Sequence, residues 1–272
     1  MNDKIEVRLE GVPQTLLLPL LGRAKISQES YSPIKDTKAI ELVQALNYDF
    51  SYLLKQVGVA TLFWMARAWH FDEAIKHYLK QHPAAVIVNL GAGLDTTFSR
   101  VDNGQLTWVD IDLPEVIALR QKLLPPSPRE HYIAKSILDF SWIDDIKQYG
   151  SDFFFFAGGV FMYFTEAENK LIFSELAARF PRAELIFDSI SKQGMIHASR
   201  MLAASKMQNA VMHWGLDNSD EIKAWSLNIH TVTKISNFKG IKGTYKFPRS
   251  QRIKMFLYDF FDKSGIIHLK FM

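Results

Sequence analysis

Two patterns of apolar placement divide the chain. Over residues 38–55, apolar side chains recur at Ile40, Val43, Leu46, Phe50 and Leu53–Leu54, close to a helical period. Residues 71–81 continue in that style, with Ile75, Tyr78 and Leu79 on one stripe and Asp72, or a residue just before it, as the N-cap. The first eighty residues are therefore expected to be helical. After Pro83 the pattern changes. Residues 84–90 form a short run, apolar except for Asn89, that stops at a glycine, as a strand buried on both faces does. Similar runs at 106–111, 153–157 and 184–187 are separated by helical stretches at 114–124 and 166–180. Strand and helix alternating in this way predict an α/β fold around a mainly parallel sheet.

Past Ser189 the pattern loosens. Residues 192–215, rich in Met, Ala and Ser, suit a helical insertion over the site, and 220–226 another helix. Strands are expected at 231–238, 254–261 and 266–271, the last two joined through Asp262-Lys263-Ser264-Gly265 as a hairpin turn. The organisation that follows is one domain: a helical cap over 1–82, a core over 83–190, an insertion or lid over 191–230 and terminal strands over 231–272.

Composition narrows the chemistry. The chain has no cysteine, which removes disulfides, thiolate metal sites and a cysteine nucleophile and fits a reducing compartment. A net charge of +3 over 272 residues does not demand a nucleic-acid partner. The most apolar early stretch, residues 15–21, is broken by Pro19 and falls far short of the roughly 20 residues that span a bilayer. A cytoplasmic protein with no membrane partner is expected.

The chemistry gathers at Val88-Asn89-Leu90-Gly91-Ala92-Gly93-Leu94-Asp95-Thr96, a strand running into a Gly-x-Gly turn. Alone, Gly-x-Gly is equally a tight turn without a ligand. Asp95 and Thr96 stand where a pyrophosphate loop would finish, and a carboxylate there opposes a diphosphate. About 20 residues on, Trp108-Val109-Asp110-Ile111-Asp112-Leu113-Pro114 ends a second strand with two acids on the same side. A carboxylate at that point suits ribose hydroxyls, so an adenosine cofactor without a pyrophosphate fits best.

At these residues the sequence resembles the leucine carboxyl methyltransferase family, including its bacterial small-molecule O-methyltransferases. Besides the two segments above, Asp139-Phe140-Ser141-Trp142 and Gly159-Val160-Phe161-Met162-Tyr163-Phe164-Thr165 carry the likeness. So do Arg23-Ala24-Lys25 with Lys35-Asp36, and Ala66-Arg67-Ala68, across roughly residues 20–190. The resemblance implies a class I, Rossmann-like methyltransferase fold with a seven-stranded, mostly parallel sheet, an antiparallel C-terminal hairpin and an N-terminal helical cap. It implies S-adenosyl-L-methionine as cofactor. Lys25 and Arg67 would hold the methionine carboxylate, Gly91 would touch the cofactor through its backbone, and Asp112 would bind the ribose. Ser136 and Ile137 would flank the adenine, and Tyr163 would line the pocket; Ala92, Gly93, Asp95 and Asp110 complete the expected cofactor site. Two departures stand out. Gly158 replaces a common glutamate and Ser136 a common acid, each removing an acceptor; a backbone carbonyl or Asp139 would have to substitute.

The acceptor decides whether a base is needed. A carboxylate is ionised at neutral pH, whereas a phenol, with a pKa near 10, calls for a base such as histidine. His197 and His213 lie in the insertion but in no motif, so a carboxyl acceptor on a small molecule is expected ahead of a phenol. Residues 234–254 hold seven basic side chains and no acid, with Phe238, Tyr245 and Phe247 interleaved. That run suits a solvated edge; the rival readings are a nucleic-acid-binding protein or RNA methyltransferase, and an inactive methyltransferase-like interaction module.

Overall fold

The computed structural model describes residues 4–7, 9–207, 209–261 and 264–272. The chain runs β1 (Ile5–Glu6), α1 (Leu17–Ser27), α2 (Thr37–Ala45), β2 (Leu46–Asn47), α3 (Ser51–Gln56) and α4 (Ala60–Gln81), then enters the main sheet at β3 (Val86–Leu90). There follow α5 (Phe98–Val101), β4 (Thr107–Asp112), α6 (Pro114–Leu123), β5 (Glu130–Ala134), α7 (Trp142–Lys147), β6 (Phe153–Ala157) and α8 (Glu166–Arg179). The last part comprises β7 (Glu184–Ile190), α9 (Lys192–Ala204), β8 (Ile229–Ile235), α10 (Arg249–Phe261) and β9 (Ser264–Phe271). The seven-stranded sheet has the order β5-β4-β3-β6-β7-β9-β8. Strand β9 is antiparallel to both neighbours, and the strands from β5 to β7 pair in parallel. This is the class I methyltransferase arrangement.

Strand β6 shows why the centre of the sheet reads as continuous apolar sequence. Phe153 and Phe155 enter the core on one face with Trp142, Phe173 and Phe180, while Phe154 and Phe156 enter the core on the other with Phe71, Ile75 and Trp108. Alternation sends successive side chains to opposite faces, and helices cover both, so no polar position is tolerated.

Several expected elements shift. The helical period over 38–55 does not make one helix: α2 ends at Ala45, and Leu46–Asn47 pairs in parallel with Ile5–Glu6. The Asp49 carboxylate then accepts the Ser51 N–H at 2.9 Å and restarts the chain as α3. Buried Leu46 and Leu53 keep the period intact across the break, which hides it. Helix α4 begins at Ala60, well before Phe71, because its first turns are apolar on several sides. Strand β5 was not expected; it is a half-exposed edge strand with no apolar run. Past Ala204 the insertion leaves helix, and residues 219–225 form a 3-10 helix.

The main correction concerns residues 254–261, which belong to α10 and not to a strand. The N–H groups of Gln251 and Arg252 donate to the Pro248 carbonyl and start the helix. The antiparallel partners of β9 are β7 and β8, both far back in sequence, so β9 closes no tight hairpin. Of the expected turn, Asp262 and Lys263 lie outside the described residues; Ser264 and Gly265 begin β9. Nor do the aromatics of the basic run form a platform: Phe238 and Phe247 are buried, and only Tyr245 of the three is exposed.

Phe155→Ala is expected to lower stability by about 3–5 kcal/mol, because the emptied centre of two packed layers collapses poorly. Urea denaturation of the two proteins checks this; a loss below about 1 kcal/mol would mean that β6 is not the packed centre.

Candidate active site

Strand β3 is the topological switch point: the chain continues to β4 on one side and to β6 on the other, opening a crevice at the strand ends. A cavity of about 820 Å³ occupies it. The turn that closes β3 contains Gly91 at φ 70° and Gly93 at φ 48°. A Cβ on Gly91 would stand 2.5 Å from a methyl of Val160, so the position is restricted by shape as well as by backbone angle. The N–H groups of Gly91 and Ala92 both donate to the Ile111 carbonyl, which ties the turn to β4.

Asp112 at the end of β4 lines this cavity. One carboxylate oxygen accepts the Gly93 N–H at 2.7 Å and the other the Leu113 N–H at 2.7 Å. Burial pushes its pKa up to about 6, against the pull of those two N–H groups and of Arg120. An ionised carboxylate has about four acceptor sites, so each oxygen keeps one for a vicinal diol.

Asp110 does not line the cavity, which corrects its expected place in the cofactor site. It is fully buried, accepting from Asn89 Nδ2, Trp108 Nε1 and Arg120 Nε at 2.9–3.0 Å. Arg120 in turn donates from Nη1 to the carbonyls of Gly93 and Asp95. Burial opposes the charge on Arg120, but Asp110, Tyr132 and Asp95 together outweigh it and push the guanidinium pKa up. Asp95 lines the cavity, and its carboxylate accepts the Thr97 N–H at 2.8 Å, closing its own turn.

At the far wall Arg67 of α4 meets Asp188 of β7, Nη1 to Oδ2, at 2.9 Å. The other Asp188 oxygen accepts the Gly159 N–H at 2.6 Å. A Cβ on Gly158 would lie 3.3 Å from Arg67 Nε, and one on Gly159, at φ 74°, 2.8 Å from Arg67 Nη1. Two glycines thus admit the guanidinium, and the carboxylate that meets it comes from the next strand. Asp188 is a site residue that sequence reading missed. Asp139, the proposed substitute, is absent from the lining; it caps the Ser141 N–H.

Of the other expected residues, Ser136, Ile137, Gly158 and Tyr163 line the cavity. Lys25 does not; it faces solvent, and the buried basic residue of its motif is Arg23. Arg23 donates to Asp36 at 3.0 Å and to the Leu94 carbonyl at 3.0 Å, bracing the turn from α1. His197 lines the cavity and His213 does not.

The model of the family described as leucine carboxyl methyltransferase matches residues 21–177, more than half of the chain. The chain belongs to the leucine carboxyl methyltransferase family. This methyltransferase is 29% identical over 224 residues, 80% of each chain, to the tetracenomycin polyketide synthesis O-methyltransferase TcmP of Streptomyces glaucescens. It is 29% identical over 157 residues, 53% of this chain and 52% of the other, to the S-adenosyl-L-methionine-dependent methyltransferase dpfgK of Gibberella zeae. Its fold is that of a DUF574-family protein of Streptomyces avermitilis, with a TM-score of 0.61 at 14% identity over 92% of this chain and 97% of that one. It is an enzyme that uses S-adenosyl-L-methionine, and a small-molecule acceptor suits its relatives.

The Asp112 pKa makes a stability prediction for this methyltransferase. The folded carboxyl holds its proton up to about pH 6, whereas the unfolded one releases it near 3.8. The unfolded state therefore binds fewer protons between pH 4 and 6, and stability falls as pH rises through that window. Relative to Asp112→Asn, the wild type is expected to lose about 2–3 kcal/mol between pH 4 and 7. Denaturation of both proteins across this range measures the difference; a pH-independent difference contradicts the burial argument.

Proposed function

We propose that this methyltransferase transfers a methyl group to a phenolic hydroxyl of a small, largely apolar molecule. His197 carries the reading. It lines the cavity, and its Nδ1 lies 3.2 Å from the Gln193 carbonyl, which can only accept; a neutral ring with its proton on Nδ1 would leave Nε2 as a proton acceptor. This changes the order of acceptors, with a physical reason. Among the described residues, the cationic side chains lining the cavity all have partners: Arg23 with Asp36, Arg67 with Asp188 and Lys135 with Asp145. A carboxylate acceptor would sit without a free counter-cation, whereas a phenol needs only a proton acceptor.

The residues fit the cofactor. S-adenosylmethionine supplies an electrophilic methyl group on a sulfonium when bound. Asp112 would accept both ribose hydroxyls with its two remaining sites, and Ser136 and Ile137 would flank the adenine. Arg67 would take the carboxylate of the methionine end and Asp188 its ammonium group, in place of the glutamate missing at Gly158. That assignment answers the reading of the chain as inactive, since the lost acceptor has a replacement on β7. Leu16, Phe63, Trp64, Met201, Met212 and Tyr258 supply apolar walls that exclude water and receive an apolar acceptor. The Streptomyces relative, named for O-methylation in polyketide synthesis, supports oxygen as the acceptor atom.

With a phenolic acceptor, His197→Ala should lower kcat at least about 100-fold while S-adenosylhomocysteine binds within about twofold of wild type. Turnover retained by the alanine variant, or wild-type turnover only on carboxylic acids, contradicts the phenol reading. Asp188→Asn should weaken S-adenosylhomocysteine about tenfold or more by calorimetry, yet leave its desamino analogue nearly unaffected. Equal losses for both ligands would reduce Asp188 to a prop for Arg67.

A further inference from the structure

Helix α10 has two unlike faces. Met255 is buried against Phe238 and Phe247, and the Asp259 carboxylate accepts the N–H groups of Phe238 and Lys239. The opposite face opens to solvent: Ile253, Phe256, Leu257 and Phe260 are 52%, 68%, 43% and 71% exposed. The rings of Phe256 and Phe260, one turn apart, lie parallel within 23° at a centroid distance of 6.3 Å. Exposed Arg249, Arg252 and Lys254 border this stripe, and exposed Lys242 and Lys246 flank Tyr245 in the loop before it. From residue 234 to 258 there is no acid, and Asp259 is turned inward.

We infer that this face of α10 docks on the surface of an anionic lipid bilayer. A helix lying in the interface buries its rings at the headgroup boundary while its basic side chains reach the lipid phosphates. Charge decides against a second copy of the chain, because a two-fold contact would set this positive rim against itself. Aliphatic Ile253 and Leu257 offer no stacking surface to single-stranded nucleic acid. The expectation of no membrane partner rested on the length of apolar runs, a criterion for spans that does not detect a helix lying flat. Among the described residues no helix is long and apolar enough to cross a membrane, so the contact is peripheral. Tyr258, on the same helix, lines the cavity, so docking brings one wall of the site to the layer in which apolar acceptors collect.

Flotation of the full chain with vesicles tests this directly. Binding is expected to vesicles of phosphatidylcholine mixed with phosphatidylglycerol, to weaken strongly in high salt, and to be weak with phosphatidylcholine alone. Phe256→Ser with Phe260→Ser, and separately Arg249→Glu with Arg252→Glu, should each cut it about tenfold or more, with S-adenosylhomocysteine binding unchanged. Phe256→Trp should shift its emission to the blue on the anionic vesicles only. Absence of flotation, or flotation indifferent to both double variants, overturns the inference. So does a dimer that dissociates in the serine variant, or single-stranded RNA retention lost in the glutamate variant; these would assign the face to a second copy or to nucleic acid.

Discussion

The buried ion pair between Asp110 and Arg120 fixes the geometry on which the site depends. Both side chains are essentially sealed from water, and the carboxylate accepts from an asparagine, an indole and the guanidinium. Such a pair gains little net stability over a well-packed apolar one, because desolvation offsets the attraction. Its value is positional. Arg120 projects from α6, takes its charge partner on β4, and gives its remaining donors to the carbonyls of Gly93 and Asp95. One residue thereby fixes the angle of the glycine turn against β4, and so presents the Gly93 N–H to Asp112.

A second network braces the turn from the other side. Asp36 receives Arg23, Arg100 and Thr96 on one carboxylate oxygen, and Arg100 also pairs with Asp72 of α4. The charges of Arg23, Arg100, Asp36 and Asp72 thus balance within one buried cluster. The cavity lining is correspondingly mixed: Asp112, Arg67 and Asp188 supply polar groups, whereas Leu16, Phe63, Trp64, Met201 and Met212 supply apolar surface, and His197 on α9 also lines it. A polar cofactor and an apolar acceptor suit such a lining.

How much was legible in the sequence follows the physics of each signal. Strands β3, β4 and β6 declared themselves because burial on both faces leaves mostly apolar positions, the buried Asn89 and Asp110 being bonded to each other, and Asp112 because its place after the glycine turn is fixed by topology. Edge strand β5, half exposed, carries no such signature. Residues 254–261 have strand-like aromatic content, but Met255 meets the core from α10 while Asp259, one turn on, accepts the Phe238 N–H, and tertiary packing overrides propensity. Alternation correctly put Asp110 and Asp112 on one side of β4; it could not show that Arg120, ten residues on, occupies the first. Asp188 was hidden for a different reason: its role arises from a glycine pair in the loop after β6 and an arginine on a distant helix, a conjunction that no local pattern carries.

Arg120 does not line the cavity, yet it holds the glycine turn that does and through it shapes the cofactor pocket. Titration of S-adenosylhomocysteine into the Asp110→Leu, Arg120→Met double variant tests it most directly, since an apolar pair of similar volume keeps the interior packed and uncharged. The double variant is expected to fold, less stable by a few kcal/mol because Asn89, Trp108 and the Gly93 and Asp95 carbonyls lose partners, and to bind the ligand at least about tenfold more weakly. Wild-type affinity in that folded variant would contradict it.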